Sequence, residues 1–329
     1  MSSKAGAKHS KIKLDGVSLT IEQLLEISRE ASRVSVSDDA MGKVEAGRRI
    51  VERIIKSGKT AYGINTGFGK LAERKIEIED LEQLQLNLVR SHASGTGDPL
   101  APEEVRAIIA VRLNTLLRGY SGVRKEVISQ LVNFLNSNII PVIPRYGSLG
   151  ASGDLAPSAH LALSMIGEGE VFFKGDRITT KKLFQGMGLK PITLKEKEGL
   201  AIINGTQVMS GLGGLLVHDV ADFLDALDVA AAVSLEALGG NLESFDPRVH
   251  ELRPVQGQID VAARMNEILS GSKHLGTGKR TQDPYSLRCI PQVHGAFREA
   301  LRFCTSLIET EINSVTDNPL IFPDGEVIS

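Results

Sequence analysis

GSLGASGDLAPSAHLAL, from Gly147 to Leu163, sets three small residues, Ala151-Ser152-Gly153, directly before an acidic residue and an apolar run with a proline in its first turn. That is the pattern of a tight loop entering a helix. Asp154 stands where an N-cap is expected and Pro157 where a helix tolerates proline, so the positive end of the helix dipole should face back onto the tripeptide. Such a site stabilises developing negative charge. A phosphate-binding loop would end in Lys followed by Ser or Thr, and a nucleophile elbow would read G-x-S-x-G; Gly150 to Gly153 is neither.

Outward from this loop the chain reads as helices. Apolar residues recur at helical spacing over 19–31, 44–55 (after the cap-like Ser37-Asp38-Asp39), 78–89, 102–117, 125–135 and 154–166. VFFKGDRIT reads as a hairpin turning at Lys174-Gly175-Asp176. From Gly205 to Leu238 runs one long helical pattern, with Asp219, Asp222, Asp225 and Asp228 at three-residue spacing, expected to form a solvated strip or charge rim. Residues 292–315 form a second long helix, stopped by Thr316-Asp317-Asn318-Pro319. The fold expected is mainly α. An N-terminal helical domain, 1–204, carries the loop, and 205–329 form the first part of a long-helix bundle.

At 329 residues with a formal net charge of -2, the chain is long enough for a substantial core and has no basic stripe for nucleic acid. A small-molecule partner is the expectation. Cys289 and Cys304 lie too far apart along a helix to bridge, which suits a reducing cytoplasm. The polar start MSSKAGAKHSKIK predicts no signal peptide, and the longest uncharged window, 199–217, is broken by Asn204, Thr206, Gln207 and glycines, which argues against a membrane span. No His and carboxylate set at metal-binding spacing is present, so no metal is expected.

Tryptophan is absent, and all four tyrosines neighbour glycine or proline. Phenols so placed invite a chemical reading. Tyr62 lies in the glycine-rich YGINTGFG, which is a mobile or sharply turned loop; by itself this is an ordinary surface loop. In QDPYSLR, Asp283 as N-cap and Pro284 at the first helical position would start a helix on which Tyr285 and Arg288 share a face, with Gln282 just ahead. The planar fork of Arg288 suits a carboxylate. Asn204 ends an apolar, strand-like run and reads as a cap for the long helix. His92, near a helix end, reads as structural, and His160 as a packing residue.

Five blocks together carry a resemblance: GSLGASGDLAPSAH, YGINTGFG at 62–69, SHASGTG at 91–97, INGTQ at 203–207 and QDPYSLRCIPQ at 282–292. Taken along the chain they resemble the aromatic amino acid ammonia-lyase and aminomutase family, whose signature is GS-x-GASGDLAP-x-AH, and most closely its histidine-specific branch. The resemblance implies an electrophile made by the chain itself, a methylidene-imidazolone from Ala151, Ser152 and Gly153, with no external cofactor. It implies elimination of ammonia from L-histidine to trans-urocanate, through attack on the electrophile by the substrate amine or by its ring. Tyr62 or Tyr285 would move the β-proton, Arg288 and Asn204 would hold the carboxylate with Gln282 beside them, and His92 would contact the substrate side chain. Ser91-His92 and Gln207 favour histidine over phenylalanine.

Family members form tetramers with active sites shared between chains, so a homotetramer is expected. They continue beyond the position of Pro323 to Ser329 with a Gly-Asn-Phe-His-Gly-like block, further helices and a glutamate facing the substrate ring; the expectation for this chain is a truncated product, a fragment or one half of a split enzyme. Two rival readings stand beside the histidine lyase. One is a phenylalanine or tyrosine lyase or an aminomutase; the other is a non-catalytic helical subunit.

Overall fold

The computed structural model describes residues 11–69, 72–278 and 280–329. The polar opening through residue 10, with His9, lies outside the described residues. Thirteen α-helices and only short strands are found among the described residues, so the chain is mainly α. It divides into two compact units, Met1–Leu215 with Ile308–Ser329, and Leu216–Leu307. No helix of the described residues is long and apolar enough to cross a membrane.

The first unit is built around the helix Pro102–Leu116, in which every residue from Val105 to Leu116 is buried. It starts on proline, and the Glu104 carboxylate reaches back to accept from Ala101 N. A helix apolar on nearly every side must be enclosed, and the helices Ile21–Ser28 and Lys125–Asn136 pack on it. Elsewhere Ser37 caps the helix Asp38–Ser57 through Ala40 N at 3.1 Å, where the sequence places a start signal.

Three further helices matter for position. Leu81–His92, Leu155–Met165 and Glu198–Ile203 pack against one another. Gln85 ties the first of these to the third: its Oε1 accepts from Leu200 N at 3.2 Å, and a side-chain carbon on Gly199 would lie only 2.9 Å from its carbonyl oxygen. The last of the three helices replaces the strand-like run expected before Asn204. All six of its residues are buried, and a short, wholly apolar run does not tell strand from helix by periodicity. The strand Thr96–Pro99 pairs antiparallel with Pro144–Tyr146, which lays the SHASGTG segment beside the approach to the tripeptide. The hairpin is as expected, Glu170–Phe173 with Asp176–Thr179, turning through Lys174 and Gly175, both at positive φ.

In the second unit Phe245, Val261, Met265, Leu269, Leu287 and Ile290 form a core with Leu235 of the long helix Gln207–Ala237. The acidic strip on that helix is not uniformly solvated. Asp222 is exposed, whereas Asp228 is fully buried, accepts from His294 Nδ1 at 2.7 Å and pairs with Arg298 and Arg264. At about 100° per residue, nine residues carry a side chain to the opposite side of a helix. Three-residue spacing therefore begins on the surface at Asp219 and Asp222 and ends in the interior at Asp228.

Candidate active site

The tripeptide is held by backbone. Gly150 and Ala151 each form a bridge with Gly153, and Gly153 in turn bridges Gly205. Gly153 has φ +82°, and a side-chain carbon there would lie 2.4 Å from Gly205 O, so only glycine fits. One residue on, Asp154 N donates to Gly205 O at 2.7 Å. Ala151 and Ser152 remain exposed while Asp154 is buried. The site is a bent, presented loop on a buried footing.

Asp154 does not cap its own helix. Leu155–Met165 has no side-chain cap bond; instead Asp154 Oδ2 accepts from Val208 N at 3.0 Å and Met209 N at 2.9 Å, the first turn of the long helix, and Oδ1 accepts from Ser148 Oγ at 3.1 Å. The carboxylate thus binds the start of one helix while standing at the start of another. Gln207 reinforces the same junction, its Nε2 donating to Ser158 Oγ from a buried position. Two helix N-termini consequently meet next to Gly153, and their dipoles favour negative charge there.

Asn204 is buried, and its Nδ2 lies 3.5 Å from Ser152 Oγ, across the Gly153–Gly205 bridge. It follows the C-terminus of Glu198–Ile203, where its own N–H donates to Leu200 O, and does not cap the long helix. Tyr62 is half-buried in a sharply turned loop. Gly63 fits against Pro319 and against Leu200 of the helix that ends on Asn204, and Asn65 closes the turn through Ala61 N at 2.8 Å and Lys59 O at 2.9 Å. His92 folds back on its helix, with Nδ1 2.9 Å from Leu88 O and 3.1 Å from Ser91 Oγ; Nδ1 is then the donor and Nε2 is left as an acceptor. Among the described residues neither Tyr62 nor His92 hydrogen-bonds to the tripeptide. His160 links the SHASGTG segment to the helix that follows the tripeptide: its Nε2 accepts from Gly95 N at 3.1 Å, and burial lowers its pKa below the ordinary 6.5.

The second unit holds Gln282, Tyr285 and Arg288. The helix Tyr285–Arg288 is a single turn, and the Arg288 guanidinium stacks on the Tyr285 ring at 4.4 Å. Gln282 and Arg288 line a cleft of about 300 Å³ with Asn241, Asp283 and Gln292. Tyr285 stands exposed. Asp283 is not the N-cap of this helix: it is buried, and its Oδ2 accepts from Asn241 N at 2.6 Å, while Pro284 occupies the cap position. The short helix starts one residue too late for it, and the loop after the long helix supplies the N–H instead.

The family model for aromatic amino acid lyases matches residues 19–329. The chain belongs to that family. It is 49% identical to histidine ammonia-lyase of Caldanaerobacter subterraneus subsp. tengcongensis over 97% of this chain and 63% of that protein. It is 48% identical to histidine ammonia-lyase of Myxococcus xanthus over the same shares. The chain therefore spans less than two thirds of the length of these curated relatives. Among solved structures, tyrosine aminomutase from Streptomyces globisporus superposes with a TM-score of 0.91 at 37% identity, covering 97% of this chain and 64% of that one. Histidine ammonia-lyase from Trypanosoma cruzi superposes at 0.88 with 39% identity, covering 97% and 61%.

Sequence reading missed Gly205, Ser148 and the second role of Asp154. Only the glycine left a signal, in the adjacency Asn204-Gly205 before a helical run. It also passed over His294, whose partner Asp228 lies in a distant part of the chain.

Proposed function

We propose that this chain carries the electrophile-forming part of an enzyme that eliminates ammonia from L-histidine to give trans-urocanate. The observation that supports this most is the Ala151-Ser152-Gly153 turn pinned by the Gly153–Gly205 bridge, with Asn204 facing Ser152. The residues fit a methylidene-imidazolone, because the turn folds Gly153 back on Ala151 with no side chain in the way and leaves Ser152 presented. That group supplies an electrophile for the substrate. Each unit brings its own residues to that chemistry: in the first, Asn204 binds the carboxylate, Tyr62 takes the β-proton and His92 offers Nε2 to the substrate side chain; in the second, Arg288 with Gln282 in its cleft binds a carboxylate and Tyr285 is the alternative base.

The 45–49% identity to proteins named histidine ammonia-lyase supports histidine as the substrate. An aminomutase outcome is the second reading, favoured by the TM-score of 0.91 to a tyrosine aminomutase. Assembly of several copies, as a homotetramer with shared active sites, is supported by apolar side chains exposed in the second unit, among them Phe223, Val233, Phe297 and Phe303. The two free cysteines suit a cytoplasmic setting.

The test is the mass of the peptide containing Ala151 to Gly153, with product analysis. A deficit of two waters together with urocanate from L-histidine supports the reading. An unmodified mass in folded protein overturns it, and a β-amino acid product moves the assignment to an aminomutase.

A further inference from the structure

The helix Pro102–Leu116 carries two buried arginines that are used in different ways. Arg106 is spent on the ends of other segments: Nε donates to Ile27 O at 2.8 Å, and Nη1 donates to Leu135 O at 2.8 Å and Asn138 Oδ1 at 3.0 Å. Arg112 is fully buried, and none of its nitrogens has a hydrogen-bond partner among the described residues. Its nearest opposite charge is Asp317 Oδ2, 3.9 Å from Nη2. Lys197, also fully buried, reaches the same oxygen at 3.3 Å and donates to Ser121 O at 2.9 Å. Two cations around one enclosed carboxylate are costly to bury, and burial holds both basic groups below their usual pKa while Asp317 opposes the shift. Stability alone gives a poor reason to keep such a group.

What Arg112 faces is Gly205. A side-chain carbon there would lie 2.8 Å from Arg112 Nη1, 2.6 Å from Gln207 Oε1 and 2.9 Å from Thr316 Oγ1. The other members of the cluster secure the ends of the same segment. Lys197 precedes the helix that ends on Asn204, and Asp317 follows Thr316, whose Oγ1 accepts from Thr206 N at 3.2 Å. Asn204, Gly205 and Thr206 are thus strapped from before, beneath and behind.

We propose that Arg112, paired with Asp317, is a positioning residue that keeps the Gly205 carbonyl on Asp154 N–H and so holds Gly153 bent toward Ala151 for ring closure. This rests on the reading of the tripeptide as the electrophile's source. Closure joins Gly153 N to Ala151 C, and the Ala151 carbonyl oxygen leaves as water with the N–H hydrogens of Ser152 and Gly153. The Ser152 hydroxyl leaves as a second water with the Ser152 Cα hydrogen, so no oxidant or outside reactant is needed. Arg112 touches none of these atoms and acts through Gly205.

Arg112→Met removes the guanidinium, and Arg112→Lys keeps a charge but loses the planar group beneath Gly205. For wild type and both variants the measurements are the fraction of tripeptide-containing peptide lacking two waters, hydrogen exchange at the Asp154 amide, and the thermal midpoint. In Arg112→Met the Asp154 amide should exchange about ten-fold faster or more, with amides of the second unit unchanged. The dehydrated fraction should fall in step, and Arg112→Lys should show a smaller change in the same direction. Should Arg112→Met not fold, Arg112→Lys decides alone: wild-type exchange at Asp154 with a wild-type dehydrated fraction overturns the proposal. Uniformly faster exchange across the first unit also overturns it, since that marks a purely structural role. A wild-type peptide with no deficit refutes the proposed function instead, and Asp154 exchange still decides whether Arg112 positions Gly205.

Discussion

Around Ala151 to Gly153 the contacts are backbone bridges, glycines without room for a methyl group, and one buried carboxylate on two amides. Around Gln282 to Arg288 they are side chains on a single helical turn, with Tyr285 exposed and Arg288 stacked on it. The first arrangement suits a reaction the chain performs on itself, where the backbone is the reactant and a small displacement is fatal. The second suits capture of a small anionic group, where side chains must be free to meet it. Tolerance to substitution should therefore differ between the two regions in kind as well as in amount.

The sharpest way to break this contrast is Gly153→Ala. The added carbon would meet Gly205 O at 2.4 Å in a left-handed conformation, so the two-water deficit should vanish from the peptide mass; a variant that still dehydrates would show that the turn is not the constraint. Next in size is Asp154→Ala, which strands the amides of Val208 and Met209 and the hydroxyl of Ser148. Hydrogen bonds to a charged group contribute roughly 1.5–3 kcal/mol, so denaturant titration should show a loss of about 2–3 kcal/mol. No loss would mean that water replaces the carboxylate at this junction.

Arg288→Lys sharpens the other side. It keeps a charge and loses the fork, so apparent substrate affinity should weaken by roughly ten-fold while stability moves by less than about 0.5 kcal/mol. A large fall in thermal stability would make Arg288 a structural residue. The smallest effect concerns His160. Its folded-state pKa lies below 6.5, so the unfolded chain binds the extra proton first; its contribution is full above pH 6.5 and is lost as pH falls through the lower folded value. Stability of the first unit should decline across that window, and His160→Gln should flatten the decline. An unchanged pH profile in that variant would assign the slope to other groups.

Helix spacing made most long elements legible, with ends correct to a few residues, because apolar periodicity and caps such as Ser37 are local signals. Asp154 and Asp283 show where locality fails. Both stand just before a helix, and both give their carboxylates to amides far away in the chain, at Val208 and Met209 in one case and at Asn241 in the other. A cap pattern locates a good acceptor, but which donor claims it depends on what folding brings near. Asp228 makes the same point, since its sequence spacing resembles a surface strip and only the opposing helix with His294 and Arg298 turns it inward.

By itself the sequence determined the helical class, the tripeptide with its following helix, and the family, because these depend on residue types and spacings within short stretches. Only the tertiary structure decided that Gly205 is the partner of Gly153, that Asp154 joins two helix starts, and that Arg112, Lys197 and Asp317 meet behind them. Arg112 and Asp317 are both buried and lie in separate stretches of chain, so their meeting comes from the closing of the core. Such pairings are set by close packing and by the need to satisfy buried polar groups, and neither is written in any one stretch of sequence.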